Sequence, residues 1–363
     1  MKNKICFIAQ FPPPIHGLSK AIDTLYKSKL NEEYEFEKIN ITNNKKFIYN
    51  LIKIFKSKAT LFYFTISQTK GGNLRDLIIL KLLKKQHKKC LIHLHGGYYR
   101  NLIDNDLPKW QKKANYEIIR KLDGVIVLGD SLRYIFDGMI DEDKIYIVPN
   151  CIDDEFLMNE KEKNIKIKNL NSKKIKNILY LSNFIKEKGY EDVLELASLE
   201  KERFLKTGKR KFNFNFAGEF FNEKDRKDFF DYIEKNNLQN YVNYCGIVKG
   251  KEKKKLLSES DIFILLTKYP KEGQPISIIE AMGNCLFIVT TNHAGIPDLI
   301  KNGVNGLMIE KAYNVNNLYN ELIKMDDKKI SNCCLNGYNV ILKNYEESKY
   351  IDNMKKIFDN ILN

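Results

Sequence analysis

The chain has 363 residues, of which 43% are hydrophobic, and it is longer than a single hydrophobic core usually supports. Its formal net charge is +15, and residues 1–150 carry +11 of it, with 26 Lys and Arg against 15 Asp and Glu. No apolar run approaches the roughly eighteen residues that a membrane span requires. We therefore expect a globular protein of two domains, the first of them basic.

The N-terminus and the cysteines favour a cytoplasmic protein. Residues 1–4 lead directly into a strand-like segment, without the cleavage pattern of a signal peptide. The seven cysteines include no Cys-x-x-Cys, and the five histidines lack the spacing of zinc ligands. We expect reduced core cysteines and no metal site.

Strands and helices alternate along the first half of the chain. A strand at residues 4–10 leads into a loop at 11–19, where three prolines precede Gly17, and a helical pattern begins near Ser19. Further strands are predicted at 61–66, 90–94, 124–128 and 144–148, and further helices near 73–86, 107–121 and 130–139. This alternation predicts a parallel, doubly wound sheet.

Two lysine-rich segments of the first half, residues 45–58 and 76–89, have the pattern of basic amphipathic helices. Such helices can bind anionic lipid headgroups or nucleic acid. Simple solvation explains the pattern equally well, because lysine is abundant throughout the chain. No nucleic-acid-binding motif is present, so membrane contact and solvation are the alternatives that remain.

One predicted strand ends in His93-Leu94-His95-Gly96-Gly97. Ligands of open parallel sheets bind outside the carboxyl ends of the strands. His95 is the nearer of the two histidines to that end, and we expect it to face a ligand. The alternative is a buried structural histidine.

The second half repeats the alternation after a lysine- and asparagine-rich segment, residues 159–176, which we interpret as a domain linker. Strands are predicted at 178–182, 212–217, 241–245, 261–266, 286–290 and 303–308. Three helical patterns near 314–325, 328–343 and 346–361 close the chain.

Residues 271–283, with the sequence KEGQPISIIEAMG, read as a loop that feeds a helix between two buried strands. Pro275 suits the first helical position, and Gly283 stops the helix. The free N–H groups at this helix start form a cradle for a pyrophosphate. Glu272 lies in the loop and Glu280 in the helix, and their carboxylates can accept hydrogen bonds from sugar hydroxyls.

This pair of glutamates, with Gly-Gln-Pro-Ile between them and Ala-Met after them, resembles the paired-glutamate motif of retaining glycosyltransferase family 4. The resemblance covers nearly the whole chain and is strongest in residues 177–310. It implies the GT-B fold, with two doubly wound, Rossmann-like α/β domains facing an interdomain cleft. The acceptor-side domain would be residues 1–160 and the nucleotide-sugar domain residues 161–345. A last helix, residues 346–363, would cross back to the first domain.

The resemblance also implies roles for the site residues. Three would be catalytic, since Glu272 and His95 would hold the sugar and Lys188 would neutralise the leaving diphosphate. The donor-binding positions that it implies are Gly17, Asn183, Gly218, Gly246, Val248, Gly273, Gln274, Pro275, Ile276 and Glu280, the last on the ribose diol. Asn183 stands where the family typically has Arg, which removes one fixed positive charge from the place where negative charge develops.

The implied activity is a retaining, metal-independent transfer from a nucleoside diphosphate sugar of UDP or GDP type, without a cofactor. The acceptor would be a glycan or a lipid-linked molecule in cell-surface polysaccharide biosynthesis. The enzyme would be cytoplasmic, and its basic first domain favours peripheral contact with the inner face of the membrane. The alternatives are a weakly active or inactive nucleotide-sugar-binding protein, which Asn183 favours, and an epimerase or phosphorylase of the same fold.

Overall fold

The computed structural model describes residues 2–13 and 17–363, which divide into two compact units. The first unit comprises the chain up to Cys151, the short segment Lys271–Gln274 and the C-terminal Glu347–Asn363. The second comprises Ile152–Pro270 and Pro275–Glu346. The first unit therefore ends at Cys151 rather than at residue 160. Pro14, Ile15 and His16 of the predicted loop at 11–19 lie outside the described residues.

The first unit is built on a six-stranded parallel sheet with the strand order β2-β1-β3-β4-β5-β6. Its strands are β1 Lys4–Ala9, β2 Glu35–Asn40, β3 Leu61–Thr65, β4 Lys89–His93, β5 Gly124–Val127 and β6 Ile145–Ile147. Its helices in this part of the chain are α1 Gly17–Lys27, α2 Phe47–Lys56, α3 Lys70–Lys85, α4 Tyr99–Asn101 and α5 Lys109–Ile119. All residues of β3 and β5 are buried, as expected of parallel strands covered on both faces.

The second unit repeats this plan with the strand order β12-β11-β10-β7-β8-β9. Its strands are β7 Lys176–Leu181, β8 Phe212–Ala217, β9 Val242–Tyr244, β10 Ile262–Leu265, β11 Phe287–Thr291 and β12 Leu307–Ile309. Its helices are α6 Glu160–Ser172, α7 Tyr190–Thr207, α8 Glu223–Lys235, α9 Gly250–Glu259, α10 Ile276–Gly283, α11 Val315–Lys324 and α12 Asp327–Asn344. The predicted two-domain α/β architecture with parallel sheets is confirmed.

The interpretation of residues 159–176 as a linker is wrong. This segment forms α6, whose start is fixed by a capping box in which Asn159 and Glu162 each accept a hydrogen bond from the other's backbone N–H. The helix buries Lys166, which donates to the backbone carbonyls of Ser258 and Ser260. The one buried charged side chain described in this polar helix is thus hydrogen-bonded.

The last helix, α13 Glu347–Leu362, belongs to the first unit. Its Phe358 is fully buried and packs edge-on against the rings of Phe7 in β1, Tyr34 and Tyr63 in β3. Aromatic pairs in this arrangement stabilise a core beyond their buried area. The first unit is thus completed by residues that follow the whole of the second unit.

Within residues 2–13 and 17–363, no helix is both long enough and apolar enough to cross a bilayer.

Candidate active site

His95 follows β4 at the carboxyl edge of the first sheet. It lies beside the buried rings of His93 and Tyr63. The ring of His95 lies 3.9 Å from that of His93, measured between centroids. The hydroxyl of Tyr63 is 2.7 Å from Nδ1 of His93. Burial, with a further contribution from His95, holds the pKa of His93 well below its usual range, so this ring is neutral. His93 is the buried structural histidine, and His95 is the one at the edge.

The segment Lys271–Gln274 joins the same edge of the first unit. Gln274 fastens it, because its Oε1 accepts from the backbone N–H of Asn150 at 2.9 Å and its Nε2 donates to the carbonyl of Leu128 at 3.1 Å. The Asn150 amide also donates to the Gln274 carbonyl at 2.9 Å. Both ends of the Gln274 side-chain amide therefore hold the loop in place, and the donor contact of this residue stays a prediction.

Gly273 brings this segment into direct contact with the end of β4. A β-carbon at Gly273 would lie 2.9 Å from Cα of Gly96 and 3.0 Å from the carbonyl oxygen of His95. Only a glycine permits this approach. Its neighbour Glu272 is 8% exposed. The structure therefore brings the predicted residues Glu272 and Gly273 to the strand end that carries His95.

In the second unit, four predicted positions follow the carboxyl ends of β7, β8 and β9. Gly218 has φ of +146°, and a β-carbon there would lie 1.9 Å from the carbonyl oxygen of Ser182. Its N–H donates to the carbonyl of Gly246 at 2.9 Å. Asn183, which follows Ser182, is exposed, and Val248 is partly buried. The close backbone approach explains why glycine occupies position 218.

Lys188 ends a 3-10 helix, Lys186–Lys188, that follows β7. The next residue, Gly189, has φ of +77°, and a β-carbon there would lie 2.6 Å from the carbonyl oxygen of Leu266. This contact brings the turn to the end of β10. The Nζ of Lys188 lies 5.5 Å from the centre of the Tyr269 ring, in the loop after β10. A cation is thereby held at the edge where α10 also begins.

Helix α10 begins at Ile276, with Pro275 as its N-cap residue rather than its first helical residue. Glu280, on this helix, is 3% exposed and accepts a hydrogen bond from Nζ of Lys253 at 2.5 Å. Glu280 therefore does not occupy the solvent-exposed position that is common for a glutamate on a helix. A buried carboxylate requires a partner. Lys253, on α9, supplies one, and sequence reasoning did not identify it because α9 contains several lysines.

The structure thus divides the predicted residues between the two units. The first holds His95, Glu272, Gly273 and Gln274, together with Gly17, which is the exposed first residue of α1. The second holds Lys188, Asn183, Gly218, Gly246, Val248, Pro275, Ile276 and Glu280. The two glutamates of the motif therefore belong to different units. Among the residues that the structure describes, no three His, Cys, Asp or Glu side chains form a group able to hold a metal ion.

Comparison with known proteins finds a matching family model for the second unit and structures of the same fold. Residues 160–333 match the family model described as glycosyl transferases group 1. An uncharacterized 41.2 kDa protein in the cps region of Klebsiella pneumoniae is 25% identical over 282 residues, covering 74% of this chain and 71% of that protein.

A UDP-Gal:alpha-D-GlcNAc-diphosphoundecaprenol alpha-1,3-galactosyltransferase of Escherichia coli is 30% identical over 104 residues, which are 28% of this chain and 26% of that enzyme. The crystal structure of HepE from Anabaena in complex with UDP superposes on 99% of this chain and 100% of HepE. Its TM-score is 0.75 and its sequence identity 14%, so this likeness is one of fold.

Proposed function

We propose that this chain is a glycosyltransferase that transfers a sugar from a nucleoside diphosphate sugar to a glycan or lipid-linked acceptor, a proposal supported by the match of residues 160–333 to the glycosyl transferases group 1 model and by the fold. The transfer retains the anomeric configuration and uses neither a metal ion nor a cofactor. The observation that carries the proposal is Glu280, a carboxylate kept at 3% exposure on the helix that begins at the carboxyl edge of the second sheet.

The second unit is the proposed donor side. A carboxylate accepts hydrogen bonds from both hydroxyls of a diol, so Glu280 suits the ribose. The N–H groups at the start of α10, with the cation of Lys188, suit the diphosphate. The backbone at Gly218, Gly246 and Val248 would face the base. HepE was crystallised with UDP, and the Escherichia coli relative uses UDP-Gal, which favours a UDP sugar over a GDP sugar.

The chemistry proposed is electrostatic. As the bond between sugar and diphosphate breaks, negative charge grows on the leaving phosphate, and preorganised positive groups stabilise it more than they stabilise the bound donor. Lys188 and the start of α10 do this without a metal ion. Glu272 and His95 hold the sugar hydroxyls so that the acceptor approaches from the face that the diphosphate leaves. Asn183 adds a hydrogen-bond donor but no charge, and a slow enzyme is expected.

The acceptor is proposed to be part of a cell-surface polysaccharide under assembly. The Klebsiella relative is encoded in a cps region, and the Escherichia coli relative acts on a sugar linked to diphosphoundecaprenol. A lipid-linked acceptor is held at the membrane and carries phosphate charge. The net charge of +11 on residues 1–150 suits an anionic membrane and a phosphate-bearing acceptor, and favours contact of the enzyme with the inner face of the membrane.

The test is the shift in thermal midpoint with UDP, GDP, ADP and their sugar conjugates. A ligand at one hundred times its Kd stabilises the native state by about 2.7 kcal/mol, and we expect UDP or a UDP sugar to do so. Glu280→Gln replaces the carboxylate that would accept hydrogen bonds from the ribose hydroxyls. It should abolish the ligand-induced shift in thermal midpoint. Because this variant also leaves Lys253 without its carboxylate, each variant is compared with its own ligand-free midpoint. Glu259→Ala, an exposed glutamate of α9, is the control and should keep the full shift.

Failure of every nucleotide to shift the wild type would refute the donor site. Once a donor is found, product formed from a mixture of acceptors excludes a pure binding protein, and the anomeric proton couplings of the product report retention. Activity that persists in EDTA supports metal independence. Conversion of the donor without an acceptor, or a need for inorganic phosphate, would instead identify an epimerase or a phosphorylase.

A further inference from the structure

Helix α2 buries little of its apolar surface. An amphipathic helix normally turns its apolar residues towards the core. In α2 the buried side chains are Asn50 and Ile54, whereas four large side chains are between 49% and 67% exposed. These are Ile48, Tyr49, Ile52 and Phe55. Single exposed apolar residues are ordinary, but four on a ten-residue helix are not.

The neighbouring helix α3 extends this surface. Leu74 and Ile78, one turn apart on α3, are 43% and 41% exposed. The two helices are tied together, since Gln86 after α3 donates to the carbonyl of Phe55 at 2.9 Å. Arg75 also reaches Asn44, just before α2, at 3.3 Å. We call the six side chains Ile48, Tyr49, Ile52, Phe55, Leu74 and Ile78 the α2–α3 face.

The charge around the α2–α3 face has one sign. Between residues 38 and 103 the sequence contains fourteen Lys and Arg and a single acidic residue, Asp76; two of these cations, Lys84 and Arg100, are paired with Asp123 and Asp104 from outside this range. Asp76 is buried and paired with Arg75 at 2.8 Å, so it offers nothing to the surface. The lysines of α2 are exposed, and Nζ of Lys53 lies 4.8 Å from the centre of the Tyr49 ring. Exposed cationic side chains thus lie on the same helix as the exposed apolar ones, and one of them contacts the Tyr49 ring.

We propose that the α2–α3 face inserts into the headgroup region of an anionic bilayer, with its apolar side chains at the acyl boundary and its lysines on the lipid phosphates. Apolar burial and electrostatic attraction act together at such a surface. A second copy of this chain would bring lysines against lysines without carboxylates to pair them. Nucleic acid would satisfy the lysines but would leave Ile48, Ile52 and Phe55 in water.

The proposed function includes contact with the membrane through net charge. This proposal adds that defined apolar side chains insert into the bilayer. It rests on the proposed function in one respect, namely that the membrane supplies a lipid-linked acceptor. Vesicle binding is measured without donor or acceptor, so its outcome is separate from that of the nucleotide test.

The experiment is flotation of the full chain with vesicles of phosphatidylcholine alone or with 30% phosphatidylglycerol, at physiological salt. The wild type should float with the anionic vesicles only. Ile52→Ser with Phe55→Ser should lower the partition coefficient about a hundredfold, roughly tenfold for each apolar side chain withdrawn from the interface. Lys53→Gln with Lys56→Gln should lower it about 25-fold, roughly fivefold for each charge.

Leu205→Ser is the matched control, since this side chain is 71% exposed on α7 of the second unit. It should float like the wild type. All changed residues are exposed, so thermal midpoints should be unaltered, which separates loss of binding from loss of folding. The proposal is overturned if the Ile52 and Phe55 double variant floats as well as the wild type, which would mean attraction by charge alone. It is equally overturned if the wild type stays unbound, or if it binds an oligonucleotide in preference to the vesicles.

Discussion

The contact of Gly273 with the end of β4 permits a sharp test of the loop that carries Glu272. In Gly273→Ala the new methyl group would start 2.9 Å from Cα of Gly96, where ordinary contacts begin at 3.4 Å. The obstacle is backbone, so the loop must retreat by at least about 0.5 Å, the difference between these distances. Misplacement of a positioning group by about 1 Å can cost a hundredfold in rate, and we expect kcat/KM to fall about 10- to 100-fold.

The assay is release of nucleoside diphosphate from the sugar nucleotide that stabilises the protein, measured with thermal midpoints. Overpacking should also lower the free energy of unfolding by about 1 to 3 kcal/mol. Gly71→Ala is the control, because a β-carbon there meets no atom within 4 Å and the residue lies in α3. It should keep full activity and gain slight stability. Wild-type kcat/KM in Gly273→Ala would refute the role given to the position of Glu272.

Two further predictions concern the stability of the two units. Phe358→Ala removes a fully buried ring of α13 and should destabilise the first unit by about 3 to 5 kcal/mol in urea unfolding, whereas the exposed Asp352→Ala of the same helix should change little. Burial lowers the pKa of Lys166 to about 8, so the native state resists protonation of this side chain. Stability should therefore fall as pH drops from 10.5 to 8, and Lys166→Met should flatten this part of the curve; an identical slope in both proteins would contradict the assignment.

Most of the fold could be predicted from the sequence because buried parallel strands are continuous apolar runs. Strand β2 was not predicted, because it lies at the sheet edge and its sequence, EFEKIN, mixes exposed charges with apolar residues. Helix α6 was missed because few of its residues are apolar. The Asn159-x-x-Glu162 spacing was the available signal, since it is the pattern of a capping box.

The residue types of the candidate functional residues could be predicted from the sequence, but not which unit holds each of them. Glu272 and Glu280 are only eight positions apart, and the sequence gives no reason to assign them to different units. That assignment depends on hydrogen bonds from Gln274 to Asn150 and Leu128, which lie more than 120 residues earlier in the chain. The pairing of Lys253 with Glu280 is likewise tertiary. The roles of the site residues and the assignment to family 4 stay predictions.

The position of α13 has a consequence for how the polypeptide matures during translation. Ribosomes deliver residues from the N-terminus onward, yet the rings of Phe7, Tyr34 and Tyr63 gain their Phe358 partner only after the whole second unit has emerged. The half that is synthesised first is therefore the half that finishes folding last. In the interval the core of the first unit lacks Phe358 and leaves apolar rings uncovered, which is the kind of surface that chaperones bind.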